Sequence, residues 1–425
     1  MNDVVSEVVA RFPEPIPTPA VMPARSDDRT SVLTECTAFL AVAPDFFSST
    51  AARTSLAALA AFIDDECDGT ITGLHFLDDT SGSVTDFRLA APETGSDLLF
   101  MYDVPTDELP RTVHERVASS VEHVVELARL GVHAVRFPVN RVNRDDNGFR
   151  DEREDHLPII VKILDTVAPW LSIVIDAEPH SRKPTDSRAH SADHDTLESC
   201  FVDGYRTEDA QDFSRWALAE TGQQTDTVRY NVLSEAVGSL SGSALIDTVL
   251  PSAQRARTIL SAYTVLMALP GVPGVRLDAF ISDGVAADAA GSVSFDRFVD
   301  SLHDRETLAG AVFAGTTERL RVRSREAAFA PWSRSRVLCG ASSVISIVRG
   351  AADGPDACRP VICLHNISHE PSDPTFTPEE LSVDDSSLFR DIISGDVVYP
   401  YRTTDGRFAF GLEPYESMWL KAFAP

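Results

Sequence analysis

Lysine is nearly absent from this 425-residue chain. It occurs only at Lys162, Lys183 and Lys421, whereas aspartate and glutamate together number 65 and the net charge is −28. A surface of that sign repels nucleic acid and anionic lipid, so neither is expected as a partner. Such acidity is typical of a protein in a salt-rich cytoplasm, and acidic drift in a GC-rich genome explains it equally well.

The sequence also lacks paired cysteines and a long uninterrupted apolar run. Its six cysteines include no C-x-x-C pair, which favours free thiols in a reducing cytoplasm. No basic segment followed by an apolar core begins the chain, so a cytoplasmic location is expected. The apolar stretch TILSAYTVLMALPGVPGV is broken by Tyr263, Pro270 and Pro273. It predicts a buried helix and a turn rather than a membrane span.

No glycine pattern that would cradle a phosphate is present, and no cofactor is predicted. Residues 181–212 are rich in Ser, Asp, His and Arg and predict a loop or lid. Its histidines and aspartates could be drawn as a metal cluster, but HSADHD lacks helical ligand spacing and predicts solvated side chains. No metal site is therefore expected from His180, His190, His194, Asp193 and Asp195.

What the chain does contain is a repeated order of short apolar strand, loop and amphipathic helix. Residues 1–32 are rich in proline and predict a tail or an arm over the surface. Residues 33–335 alternate strands and helices, which indicates an α/β fold with a parallel sheet. Residues 336–425 form short strands between turns and predict a small antiparallel, β-sandwich-like C-terminal domain.

Several stretches occur in an order that resembles one family. They are LMALPGVPGV, ERLRVRSREAAFAPWSRSRVL, VICLHNIS and LEPYESMWL. Together they resemble the sucrose phosphorylase-like branch of glycoside hydrolase family 13, in the α-amylase superfamily. The resemblance implies a TIM-type (β/α) barrel lacking a full inserted B domain. It also implies a retaining displacement, in which an Asp attacks, a Glu protonates the leaving oxygen and a His-Asp pair grips the sugar.

The residues at the family's catalytic positions depart from this pattern. Arg136, in the strand GVHAVRF, matches the family's arginine beside the nucleophile, which makes it a candidate substrate-binding residue. Pro138 occupies the position of the nucleophile and has no carboxylate. Asp176 falls at the acid/base position, and Glu178 follows on the same strand face. Both are candidate acid/base residues, and both are also explained as solvated groups at a strand end.

Two further family features are the His-Asp pair and an Asp at the end of a strand. The His-Asp pair belongs between a predicted helix from Asn231 to Leu250 and the run ARTILSAY, where neither a strand nor the pair is found. An incomplete barrel is therefore expected, in which the sheet either pairs across a gap or leaves an edge that another segment covers. The motif VRLDA places Asp278 at a strand end, where it pairs with Arg276, caps a turn or binds substrate. His180, in the family's Pro-His, is the remaining substrate-binding candidate.

Three functional hypotheses follow. The first is a catalytically degenerate relative of α-glucosyl-transferring enzymes, such as sucrose or glucosylglycerate phosphorylases, which binds a small α-glucoside or partners an active paralogue. The second is an active hydrolase or phosphorylase of a small α-glucoside with rebuilt acid residues. The third is an acidic scaffold unrelated to sugars. A homo-oligomer is compatible with the first.

Overall fold

The computed structural model divides the chain into two compact units, Met1–Asp193 and His194–Pro425, here called the N-terminal and C-terminal units. Each unit is described by itself. The structure describes residues 2–18, 36–42, 52–77, 98–104, 112–137, 156–176, 189–192, 205, 207–211, 230–232, 251–280, 295–338, 340–351 and 357–423.

The N-terminal unit contains a parallel sheet of strands that follow one another in chain order. Its strands are β1 Phe39–Val42, β2 Gly73–Phe76, β3 Leu99–Asp103, β4 Ala134–Phe137, β5 Ser172–Asp176 and β6 Ala189–Ala192. The residues of β1, β3 and β4 are buried throughout, as expected of parallel strands covered on both faces. Neighbouring parallel strands align their carboxyl ends along one edge of the sheet, and this alignment positions the candidate site.

Helix α1 Asn2–Ala10 precedes the sheet, and three helices connect its strands. They are α2 Ala52–Glu66, α3 Val113–Arg129 and α4 Leu157–Val167. Helix α3 begins with a capping box between Thr112 and Glu115. Helix α4 buries a continuous apolar face that includes Ile160, Ile163 and Leu164. The alternation of strand and helix confirms the predicted (β/α) fold class.

The proline-rich segment predicted as a tail or arm is docked over part of its length. The Ile16 amide donates to the Val167 carbonyl at 2.8 Å, and the Trp170 indole donates to the Ile16 carbonyl at 3.0 Å. Val8, in α1, is fully buried. Helix α1 was not predicted, because it precedes the prolines and its apolar residues span little more than two helical turns.

The described part of the C-terminal unit includes a parallel strand pair. Strand β7 Tyr230–Val232 pairs with β8 Val272–Arg276, and helix α5 Ser252–Ala268 lies between them in the chain. Gly274 is favoured here because a Cβ atom at this position would collide with the hydroxyl of the buried Tyr230 side chain.

Three further helices in the described part of this unit precede or interrupt two antiparallel sheets. The helices are α6 Phe295–His303, α7 Leu308–Arg325 and α8 Pro378–Leu381. The larger sheet has the order β14-β13-β17-β11-β10-β9 and the smaller β12-β16-β15. Their ranges are β9 Ser335–Val337, β10 Val344–Arg349, β11 Val361–Asn366, β12 Thr375–Phe376, β13 Leu388–Asp391, β14 Val397–Val398, β15 Tyr401–Arg402, β16 Phe408–Ala409 and β17 Ser417–Phe423. The predicted antiparallel C-terminal part is confirmed.

Two sequence-based element assignments are wrong at residues that the structure describes. Asn231 and Val232, where a helix to Leu250 was predicted to begin, lie in β7 and pair with β8, and residues 233–250 lie outside the described residues. The predicted loop or lid at 181–212 contains strand β6, which pairs with β5 in parallel. Both strands are short, and the sequence around them is not strongly apolar, so neither shows the hydrophobic pattern that predicts a strand. No helix in the described part of the chain is long and apolar enough to cross a bilayer.

Candidate functional site

A buried polar cluster lies at the carboxyl ends of β2, β3 and β4. His75, Asp103 and Arg136 are 0%, 2% and 8% exposed. The His75 Nε2 atom lies 2.7 Å from Asp103 Oδ1, and it donates there because an ionised carboxylate only accepts. Arg136 Nη1 donates to Asp103 Oδ2 at 2.9 Å and to Oδ1 at 3.2 Å. A carboxylate thus joins an imidazole and a guanidinium in a single cluster.

The register of the sheet explains why these side chains meet. Asp103 is the direct register partner of Arg136, so both project from the same face. His75 is the register partner of Met101, two residues before Asp103, which places it on that face one layer lower. The cluster therefore occupies the edge of the sheet where (β/α) folds carry their chemistry.

The cluster holds one candidate predicted from the sequence and two residues that the sequence analysis missed. Arg136 was predicted from the family motif, whereas His75 and Asp103 were not proposed. A buried acid closing the apolar strand LLFMYD and a histidine inside GLHFL are the signals that could have identified them. Neither residue belongs to a pattern along the chain, because the contact forms only between neighbouring strands.

Of the candidate acid/base and nucleophile positions, the structure describes only Asp176. Asp176 is the last residue of β5, and Ile175 beside it pairs with Phe137 of β4. This register puts the backbone of Asp176 at the strand end beside β4. Pro138, Glu178 and His180 lie outside the described residues, and their predicted roles stay predictions.

Asp278 forms an ion pair close to the end of β8, in the C-terminal unit. Arg276 Nε donates to Asp278 Oδ1 at 2.9 Å, and Arg276 Nη2 donates to Oδ2 at 2.6 Å. Asp278 belongs to a 3₁₀ turn, Leu277–Phe280. Burial and the nearby charge of Asp278 raise the pKa of Tyr263 above its usual range. The bidentate pairing describes the local structure of Asp278, while a substrate-binding role for it stays a prediction.

The expectation that no strand lies between a helix at 231–250 and the ARTILSAY run stays a prediction, because residues 233–250 lie outside the described residues. Strand β7 precedes them in the chain. Residues 233–250 contain no histidine, so the family's His-Asp pair does not occur in the sequence between β7 and that run.

Of the histidines and aspartates that could be drawn as a metal cluster, the structure describes only His190. His190 lies in β6, so its backbone is in a strand rather than a loop. His180, His194, Asp193 and Asp195 are outside the described residues. Within the ranges that the structure describes, no three His, Cys, Asp or Glu side chains are grouped as metal ligands.

Comparison with known proteins extends this picture. No family model matches the chain. The glucosylglycerate phosphorylase of Spirochaeta thermophila is 30% identical over 194 residues, which are 43% of this chain and 32% of that protein. The alignment thus spans about a third of the relative's length.

Solved structures show the same fold at low identity. A variant of AmyP in complex with maltotriose has a TM-score of 0.65 and 10% identity, covering 95% of this chain and all of the other. The α-amylase from H. orenii has a TM-score of 0.62 and 11% identity, covering 90% of this chain and 99% of that one. The shared sequence and the shared fold support a relation of the chain to the α-amylase superfamily of glycoside hydrolase family 13.

Proposed function

We propose that the chain is a catalytically degenerate member of this superfamily that binds a small α-glucoside without cleaving it. The observation that carries the proposal is the placement of Arg136 in the buried cluster at the end of β4. It supports alignment of the family's arginine with Arg136, and Pro138 then stands two residues later, where the nucleophile belongs. A proline side chain has no oxygen with which to attack a sugar carbon.

Loss of the nucleophile has a large energetic consequence. Retaining cleavage needs one ionised carboxylate and one protonated acid on opposite sides of the bond, ~5 Å apart. Asp103 is not a ready substitute, because its carboxylate already accepts hydrogen bonds from His75 and Arg136. Removing a nucleophile of this kind usually lowers the rate by several powers of ten.

Binding is proposed because the polar cluster remains at the strand ends. Burying His75, Asp103 and Arg136 together costs solvation free energy that apolar residues would not cost. Such groups fix the orientation of sugar hydroxyls when they lie at the floor of a pocket. The same site would suit a role beside an active paralogue or within a homo-oligomer.

Two measurements on the purified full chain test the proposal. Turnover of sucrose, glucosylglycerate and an aryl α-glucoside, with and without phosphate, is expected to stay at background. Calorimetry with the same sugars at millimolar concentration is expected to show binding. Asp103→Asn should weaken that binding roughly tenfold or more through loss of the ion pair to Arg136.

A matched substitution and two contrary outcomes complete the test. Asp385→Asn removes a carboxylate whose side chain is 86% exposed, and it should leave binding unchanged. No heat with any of the sugars would overturn the binding proposal and favour an acidic scaffold. Turnover well above background would overturn the proposed degeneracy.

One observation favours an active enzyme as a second candidate. Asp176 ends β5 beside the carboxyl end of β4, which is where an acid/base residue would be needed. If turnover occurs and is lost in Asp176→Ala while folding is preserved, rebuilt acid chemistry replaces the first proposal. Turnover that survives this substitution would exclude Asp176 as the acid.

A further inference from the structure

Two buried arginines approach each other between helix α7 and the larger antiparallel sheet of the C-terminal unit. Arg323 lies near the end of α7 and Arg349 ends β10, and they are 6% and 0% exposed. Arg323 Nη1 donates to the Phe329 carbonyl at 2.7 Å, and Arg349 Nη2 donates to the next carbonyl, of Ala330, at 3.0 Å. Because consecutive carbonyls accept from both, the two guanidinium groups lie close together.

Several donors around these guanidiniums have no acceptor. Arg323 Nε, Arg349 Nε and Arg349 Nη1 are buried without a hydrogen-bond partner, as is the indole nitrogen of Trp419. The Trp419 ring lies 4.5 Å from the ring of Phe329, whose carbonyl accepts from Arg323. All four atoms are N–H donors, so the region has an excess of donors and needs an acceptor.

The positive charges also lack a counter-charge among the residues that the structure describes. Within the described residues, no carboxylate lies at ion-pair distance from Arg323 or Arg349. The carboxylate of Asp391 instead accepts from the backbone amides of Ile393, Ser394 and Trp419, at 3.2, 3.1 and 2.9 Å. Glu326 is engaged by Lys421 at 2.6 Å.

The nearby thiol does not supply the missing charge. Burial raises the pKa of Cys363 above its usual range, so this thiol is neutral at pH 7. Burial also lowers the pKa of Arg323 to about 9 and that of Arg349 to about 10, which leaves both protonated at pH 7. Two positive charges therefore stand in the interior with unmet donors.

We propose that Arg323 and Arg349, with the Trp419 indole, form a binding site for a small monovalent inorganic anion such as chloride. A buried water molecule is a poorer occupant, because it accepts only two hydrogen bonds and its own protons would need acceptors that these residues do not provide. An anion accepts from all the donors and offsets the charge. The site belongs to the C-terminal unit.

Bromide provides a direct test, because it substitutes for chloride and scatters anomalously. Crystals of the full chain grown or soaked in sodium bromide should show an anomalous peak within hydrogen-bonding distance of both guanidinium groups. A well-ordered site with no such peak, or with density that is unchanged between bromide and gluconate, would overturn the proposal in favour of water.

Stability in solution gives a second readout. In roughly 0.5 M sodium chloride, the Tm of the full chain should exceed the Tm in sodium gluconate of equal ionic strength by roughly 2 °C or more. The difference in Tm should saturate as the chloride concentration rises. Arg349→Met should abolish this difference by removing one charge and two of the donors. Arg305→Met, which removes an exposed guanidinium, should preserve it.

The two readouts together keep the test decisive if Arg349→Met fails to fold, since the bromide peak is measured on the unaltered chain. Equal Tm values for that chain in chloride and gluconate, measured across the whole concentration range, would contradict the proposed site. A chloride effect that survives Arg349→Met would also contradict it.

Discussion

The free-energy cost of burying a charged side chain depends on whether an oppositely charged partner is buried with it. Asp103 and Arg136 form an ion pair that is almost fully buried, and removing one partner leaves an uncompensated charge. Such losses typically cost ~3–5 kcal/mol, although an apolar pair of similar volume would often be as stable. The pair is therefore better explained by geometry needed at the strand ends than by stability.

His365 provides a pH-dependent prediction at the same scale. Burial, followed by the nearby charge of Arg319, lowers the pKa of His365 to about 3 in the folded protein. The unfolded chain binds the proton near the ordinary value of ~6.5. The stabilising contribution is thus complete above pH ~6.5 and is lost as pH falls toward 3, at up to ~1.4 kcal/mol per pH unit.

Urea unfolding measured between pH 7 and 5 tests this expectation. The free energy of unfolding should fall over that range, and His365→Gln should show a shallower fall because it has no proton to bind. His303→Gln, at an exposed position, serves as the matched control and should keep the original slope. An equal slope in the unaltered chain and in His365→Gln would contradict the prediction.

Elements were predictable where apolar periodicity was long, and the misses share a physical cause. Helices α3 and α5 and strands β3 and β5 were identified because each presents a buried face along several consecutive residues. Strand β7 has only three residues, and the four residues of β6, AHSA, include no large apolar side chain, so neither supplies an apolar signal. The cluster of His75 and Asp103 was missed because it depends on strand register, which one sequence does not contain.

The capping box of α3 gives a prediction at the scale of an element. The Glu115 amide donates to Thr112 Oγ1 at 3.2 Å, and the Thr112 amide donates to Glu115 Oε2 at 3.3 Å. Thr112→Ala removes the acceptor for an otherwise unpaired helix amide. It should lower the free energy of unfolding by ~1 kcal/mol, measured by urea denaturation at pH 7.

Thr166→Ala is the matched control, because the Thr166 hydroxyl donates within α4 to the Lys162 carbonyl at 3.4 Å and caps nothing. Its effect should stay within ~0.5 kcal/mol. If the two substitutions have equal effects, the capping box is not what stabilises the start of α3.

At the scale of the whole molecule, the class of fold followed from the order of elements, while the chemistry did not. The strand–helix order and the final antiparallel strands are both present in the structure. The comparisons support the superfamily relation that the ordered motifs indicated. Neither source determines whether a sugar is cleaved, because that depends on a few side chains around Pro138, Asp176 and Glu178.

The net charge of −28 predicts a salt-dependent stability for the whole chain. Like charges crowded on a folded surface repel one another more than in the expanded unfolded chain, so they destabilise the compact state. Salt shortens the range of this repulsion, to about 10 Å at 0.1 M. The Tm at pH 7 should therefore rise by several degrees between ~0.01 and ~0.15 M sodium gluconate, a salt without halide.

The same titration near pH 4.7, the sequence pI, is the control, because the net charge is then close to zero. There the rise in Tm should be much smaller. A salt effect of equal size at both pH values would show that screening of net charge is not its cause.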